Sequence, residues 1–312
     1  MSNEVIQLSS AQIKEVVSHY GNQRIERNAP GVVFAAKLQD TSITAYKSGK
    51  VLFQGGGATR EAMRWGTAQE KTGTKVNATK GDTLPEAFAL KSVLGSDETG
   101  KGDFFGPMTV AACFVPADKI DLIQFLGVKD SKMLTDDLMR KMAPDLKHSL
   151  TYSILVLGNE KYNTVQAKGW SQGKITALLH NQALKHVLTK IDPTKPDYIL
   201  IDQFAERGIY FNHIKTEKEI IRENVLFSTK AEQLHVSVAA ASILARVAFL
   251  EEMDKLSQKA GVTIPKGAGP KVDEVAARIL LAKGEDFLTS ITKKHFANTG
   301  KAMTIARKKK NY

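Results

Sequence analysis

The sequence predicts a mixed α/β domain with a central sheet, preceded by a small α+β unit. Three observations support this. From residue 94 onward, strand-like apolar runs at 108–115, 151–157, 197–201 and 224–228 alternate with helical patterns at 135–147, 171–190, 232–255 and 271–282, as a sheet flanked by helices requires. Residues 1–67 instead read as short strands bracketed by two helices. Between them, 68–86 is polar and includes Lys71-Thr72-Gly73-Thr74-Lys75, a linker composition. The predicted domains are therefore 1–67, a linker over 68–88 and a larger domain over 89–312, and a chain of 312 residues has room for both.

The small unit opens with a helix over 9–21. Ser9 and Gln12 form a capping-box pair, Ile13, Val16, Val17 and Tyr20 share one face, and Gly21 is a stop signal. Strands follow over 32–38, 42–46 and 50–54, with turns near Gln39-Asp40 and Ser48-Gly49, and then a helix over 58–65. Alternation puts Phe34, Ala36 and Leu38 on the more apolar face. Val33, Ala35 and Lys37 share the other, which is left to solvent or substrate. The tail Arg307-Lys308-Lys309-Lys310 reads as solvated and mobile.

Apolar residues make up 42% of the chain, enough for a full core. The net charge of +11, from 44 Lys+Arg against 33 Asp+Glu, suits a polyanionic partner, although plain solubility explains it equally well. Cys113, the one cysteine, lies in an apolar run, which excludes an internal disulfide and a multi-cysteine zinc site. No secretory pattern and no apolar stretch near the ~20 residues of a membrane span is present. The expectation is a reduced, cytoplasmic, soluble monomer with no obligate protein partner.

Chemistry concentrates in Asp97-Glu98-Thr99-Gly100-Lys101-Gly102. Adjacent carboxylates are costly unless a cation sits between them. Glycines flanking a lysine let backbone approach a sugar or phosphodiester. Asp202 ends the apolar strand 197–201, where α/β sheets place functional groups. Glu232 opens a helix rich in small residues. Together these carboxylates offer hard oxygen ligands for Mg²⁺ or Mn²⁺. Singly each is weak: Asp202 also fits a helix cap, Glu232 a solvated first-turn acid, and Glu206 or Asp103 could take the fourth place.

The run Asp97-Glu98-Thr99-Gly100-Lys101-Gly102-Asp103-Phe104-Phe105-Gly106-Pro107 resembles the signature segment of the type 2 ribonucleases H. Thr99 and Lys101 resemble the bacterial ribonuclease HIII branch rather than the HII branch, which has Ala and Gly-Arg-Gly there. Ala239-Ala240-Ala241-Ser242-Ile243-Leu244-Ala245-Arg246 resembles the family's small-residue helix, Asp202 its third acid and Glu232 its fourth. The likeness spans about residues 90–300. It implies a ribonuclease H-like fold and a small N-terminal domain resembling the TATA-box-binding protein. It also implies hydrolysis of the RNA strand of an RNA/DNA hybrid to 5′-phosphate and 3′-hydroxyl ends.

The expected mechanism is in-line attack by water, with two divalent ions roughly 3.5–4 Å apart holding the attacking and leaving oxygens. Asp97 is the candidate bridge, and Glu98, Asp202 and Glu232 complete the ligand set. By similarity, Gly100, Lys101 and Gly102 face 2′-hydroxyls, the groups that separate RNA from DNA. Lys47, Lys50 and Gln54 are the expected contacts of the small unit. The different-class alternative is a nucleic-acid-binding protein without catalysis; the same-fold alternative is another polynucleotide hydrolase.

The histidines show no paired metal spacing, with His180 and His186 six apart. His295 with Lys293, Lys294 and Lys301 reads as a surface basic cluster. Lys266-Gly267-Ala268-Gly269-Pro270 is either a second phosphate-approaching loop or a helix lead-in.

Overall fold

The computed structural model describes residues 2–27, 31–47, 49–66, 81–128 and 134–310. Most of the expected linker, 68–80, lies outside them. The chain divides into two compact units, Met1–Val76 with Pro116–Val128, and Asn77–Val115 with Lys129–Tyr312. No helix among the described residues is long and apolar enough to cross a membrane.

In the first unit, strand β1 (Ser2–Gln7) leads into helix α1 (Ser10–His19), then β2 (Val32–Lys37), β3 (Thr41–Tyr46), β4 (Lys50–Gly55) and helix α2 (Ala58–Met63). The sheet is antiparallel, in the order β1-β4-β3-β2. The capping box at Ser9 and Gln12 is present. β1 was not expected: it pairs with β4 along its whole length, and only Ile6 of the run enters the core, so its sequence pattern is faint. Phe34, Ala36, Ile43, Ala45, Val51 and Phe53 pack with Val16 of α1, with Tyr20 that follows it, and with Ala58 and Ala62 of α2. Each large side chain buried there contributes about 1.5–3 kcal/mol.

The opposite sheet face departs from expectation. Thr44 and Leu52 are buried on it, and the segment after Pro116, with helix α3 (Ile120–Phe125), belongs to this unit. The Tyr46 and Phe125 rings meet at 4.0 Å, and Asn3 donates to the Asp118 carbonyl. A face carrying Ala35, Thr44 and Leu52 is apolar enough to be covered, leaving Lys37 exposed at its margin.

The second unit holds a five-stranded sheet of β5 (Val93–Thr99), β6 (Met108–Val115), β7 (Thr151–Leu157), β8 (Tyr198–Asp202) and β9 (Val225–Ser228), ordered β7-β6-β5-β8-β9. β7, β6 and β5 are antiparallel, and β8 and β9 run parallel to β5. The helices are α4 (Asp136–Ser149), α5 (Asn159–Ala167), α6 (Gln172–Ile191), α7 (Arg207–His213), α8 (Val236–Ala260), α9 (Pro270–Ser290) and α10 (Asn298–Lys310). Leu94, Val110, Ala112, Ile199 and Ile201 pack on one sheet face against Ala177, Leu184 and Val187 of α6. α8 lies on the other face, with Val238 beside Val93 and Leu200. The last part of α8, α9 and α10 form a separate core with Phe104 and Phe105. Two expectations change. The basic tail, expected to be mobile, forms the end of α10 with Arg307, Lys308 and Lys309 exposed, because Ala302 and Ala306 anchor the helix. α9 continues past the expected 271–282 through a break at Gly284.

Candidate active site

Strand alternation sends the two adjacent acids to opposite faces of the sheet. Leu94, Ser96 and Glu98 point toward α6; Val93, Gly95 and Asp97 point toward α8. The approach of α8 depends on Gly95, where an added Cβ would lie 2.4 Å from the Val238 backbone nitrogen. The small residues Ala239, Ala240, Ala241 and Ser242 continue that contact, and the Ser242 hydroxyl donates to the Asp97 carboxylate.

Asp202 ends β8 beside β5 and accepts from the Ala231 amide at 2.9 Å. Glu232 is buried in the single turn Ala231–Gln233 between β9 and α8. Burial, then the Glu98 and Asp202 charges, push the Asp97 carboxyl well above the usual range. Burial also pushes Asp202 up to about 6, aided by Glu232 and Glu98 and opposed by the Ala231 amide and His180. Asp97, Glu98, Asp202 and Glu232 thus form one electrostatic cluster. Their oxygens suit a hard divalent ion, and the raised carboxyls are the mark of a site short of positive charge. Among the described residues no three His, Cys, Asp or Glu side chains close into a finished cage. A magnesium-type ion keeps several waters and uses one or two carboxylates with substrate phosphate, so an open arrangement fits it.

Glu98 is held from two sides. His180 Nε2 lies 3.1 Å from its Oε2, while His180 Nδ1 lies 2.8 Å from Ser96 Oγ. Lys101 Nζ is 3.8 Å from Glu98 Oε1 and 4.8 Å from the centre of the Phe204 ring, which stacks on His180. His180 is not marked as functional by its spacing in the sequence. Its signal was a histidine in the apolar stripe Ala177, His180, Leu184, Val187.

The two glycines of the loop differ. Gly100 has φ +93°, and a Cβ there would lie 2.2 Å from the Pro107 carbonyl oxygen, so the fold itself demands glycine. Gly102 is exposed and a Cβ there meets nothing within 4 Å. Gln172 Nε2 donates to the Lys101 carbonyl at 3.0 Å and to the Tyr162 hydroxyl at 3.2 Å.

Neither alternative for the fourth acid is among the charges that shift Asp97 or Asp202. Asp103 accepts from the Gly267 amide, and Glu206 is exposed at the start of α7. The 266–270 segment is a lead-in to α9: Gly267 is stapled to Asp103 and Phe104, and Lys266 pairs with Asp136. The expected surface cluster at 293–301 is corrected in part. Lys294 and His295 are exposed, but Lys293 is fully buried, because its ammonium satisfies main-chain carbonyls. In the first unit, Lys47 is exposed in the β3–β4 turn, and Lys50 and Gln54 are half-buried on the face opposite Val51 and Phe53.

Residues 94–299 match the ribonuclease HII family model, and 3–78 match a domain family described as of unknown function. The chain belongs to the ribonuclease HII family of nucleases. Within it, the chain is 64% identical to ribonuclease HIII of Lysinibacillus sphaericus, over 97% of this chain and 99% of that one. It is 52% identical to ribonuclease HIII of Bacillus subtilis over the full length of both. Among solved structures, Bst-RNase HIII in complex with Mn²⁺ matches with a TM-score of 0.70 at 44% identity, covering 98% of this chain and 100% of that one. These relatives put the chain in the ribonuclease HIII group, and it is therefore an enzyme, a ribonuclease.

Proposed function

We propose that the chain is an endoribonuclease that hydrolyses the RNA strand of RNA/DNA hybrids, leaving 5′-phosphate and 3′-hydroxyl ends. The observation that carries this is the cluster of Asp97, Glu98, Asp202 and Glu232 beside the Gly100–Gly102 loop, with the Asp97 and Asp202 carboxyls driven up by burial and by their neighbours. These four side chains would hold two divalent ions, Mg²⁺ or Mn²⁺, which would supply Lewis acidity and activate water when bound. Asp97 would be among the ligands, and Ser242 and the Glu98 amide, 2.7 Å away, fix its oxygens. His180 and Lys101 orient Glu98. The exposed backbone at Gly102 lies against ribose 2′-hydroxyls, and Lys101 adds positive charge near the phosphates. Lys47, Lys50 and Gln54 grip the duplex from the N-terminal unit. Solved ribonuclease HIII with Mn²⁺ supports the choice of cation.

Labelled duplexes test the reading in Mg²⁺, Mn²⁺ or chelator. Metal-dependent cuts in a full hybrid are expected, with DNA holding a single ribonucleotide left intact. Cuts at the single ribonucleotide would move the chain toward ribonuclease HII behaviour. No cleavage of either duplex sinks the proposal.

A further inference from the structure

The substrate loop is followed at once by a turn that a single internal lysine holds together. Lys293 is fully buried. Its Nζ donates to the carbonyls of Asp103 at 2.8 Å, Gly106 at 2.6 Å and Pro107 at 3.3 Å. Burial lowers its pKa to about 7 against the pull of Asp103; in the protonated form the ammonium has three donors, and all three are spent on this turn. The lysine's own amide donates to the Phe104 carbonyl at 2.8 Å, and the Gly106 amide donates to Ile291 at 3.0 Å. Asn159 adds a bond to the Gly106 carbonyl at 2.8 Å.

A buried lysine is expensive, and a neutral residue of equal length would fill the same space for less. The turn therefore has a reason to be held. Pro107 supplies it: its carbonyl oxygen is the atom against which Gly100 is packed, at the distance that forbids a Cβ. The Lys293 amine thus meets the Pro107 carbonyl, and that carbonyl meets Gly100, two residues before the exposed Gly102. Tyr162 connects these contacts to the other hold on the loop. Its ring lies 5.9 Å from Lys293 Nζ, and its hydroxyl accepts from Gln172, which also donates to the Lys101 carbonyl.

We infer that Lys293 is a positioning residue for substrate recognition: its three hydrogen bonds to the 103–107 turn fix the backbone of Gly100-Lys101-Gly102 in the shape that meets the RNA strand. The inference rests on the proposed substrate role of that loop. It separates Lys293 from the acid cluster, which it does not touch, so its loss should weaken hybrid recognition and leave divalent-ion binding alone.

The test uses the full chain with Lys293→Met, which keeps length and removes charge and donors, and Lys293→Gln, which keeps two donors on a shorter arm. Four quantities are read: kcat and KM on an RNA/DNA hybrid, Mn²⁺ affinity by calorimetry, and hydrogen exchange of the 100–106 amides. In the Met variant KM should rise about tenfold, more than kcat falls. The 100–106 amides should exchange at least about tenfold faster than those of β5 and β6, with Mn²⁺ affinity unchanged. The Gln variant should fall between it and the parent. Unchanged KM and exchange in a folded Lys293→Met overturn the inference. So does an equal loss of protection throughout the sheet, or failure of both variants to fold, since the lysine is then only a core residue. Gly102→Leu runs alongside. If it cleaves with parental KM, the loop reading itself fails; if its KM rises while that of Lys293→Met does not, only the role of Lys293 fails.

Discussion

Glu61 in the N-terminal unit and Asp97 in the sheet of the larger unit are both buried carboxylates, and they are opposites. Burial alone would raise the Glu61 carboxyl. The Tyr20 hydroxyl at 2.7 Å, with Arg60 and Arg64, outweighs that and holds it below its ordinary value. Asp97 has no cation among the described residues to offset its burial: burial first, then the Glu98 and Asp202 charges, drive its carboxyl up. Burial therefore does not distinguish a functional acid from a structural one. The sign of what surrounds it does: Glu61 is complete within the chain, whereas the cluster around Asp97 is complete only with a cation from outside.

Substitution at the two acids should break this contrast most visibly. Asp97→Asn should lower kcat by about 10³-fold, in the range seen when a key charge stabiliser is lost, while hybrid binding survives or tightens. Glu61→Gln should leave kcat within about twofold. Cleavage by Asp97→Asn at the parental rate would remove the site assignment.

Stability should move in opposite directions. Without metal, Asp97→Asn relieves carboxylate repulsion and should raise Tm by about 2–4 °C. Glu61→Gln weakens its hydrogen bonds and ion pairs and should lower Tm by a similar amount. A calorimetric scan with chelator reads both. Mg²⁺ should erase the advantage of the Asn variant by stabilising only the parent.

The pH dependence sharpens the comparison. Folded Asp202 takes its proton near pH 6 and the unfolded chain near its ordinary 3.8, so acidification through that window stabilises the metal-free protein. Glu61 is held below its ordinary 4.5, so its contribution is lost as the pH falls further. A Tm that rises modestly from pH 7 to about 5 and then drops is expected with chelator. With saturating Mg²⁺ the upper rise should vanish, since the ion needs the carboxylates deprotonated. A rise that persists in Mg²⁺ would mean that Asp202 lies outside the ion's reach.

The smallest effects belong to the first unit. Lys50→Ala should raise KM for the hybrid about two- to threefold with kcat unchanged, and the effect should shrink at higher salt. An unchanged KM at low salt would remove Lys50 from the grip.

The acids were legible in the sequence because each follows or ends an apolar strand, and because two side by side in such a place demand explanation. Their supports were not. His180 looks like a core histidine until the fold brings Ser96 and Glu98 to its two nitrogens. Lys293 sits among basic residues and reads as surface, since nothing local reveals that three carbonyls almost two hundred positions earlier converge on it. β1 was hidden for a related reason. Its pairing with β4 is long-range, and a six-residue strand with little core of its own carries almost no period. The cover over the Lys37 face was not legible either, because alternation reports which residues share a face, not what later segment packs on it.

Cys113 is buried in the middle of β6, and burial pushes its thiol up to about 12. It is also the chain's one cysteine. The native fold thus conceals the protein's whole thiol chemistry. A thiol reagent will register only openings of the central sheet, giving a built-in clock for unfolding. The same silence makes the surface addressable: in Lys47→Cys the introduced thiol is the one that reacts in the folded state, so a single fluorophore can be placed on the N-terminal unit without altering any other residue.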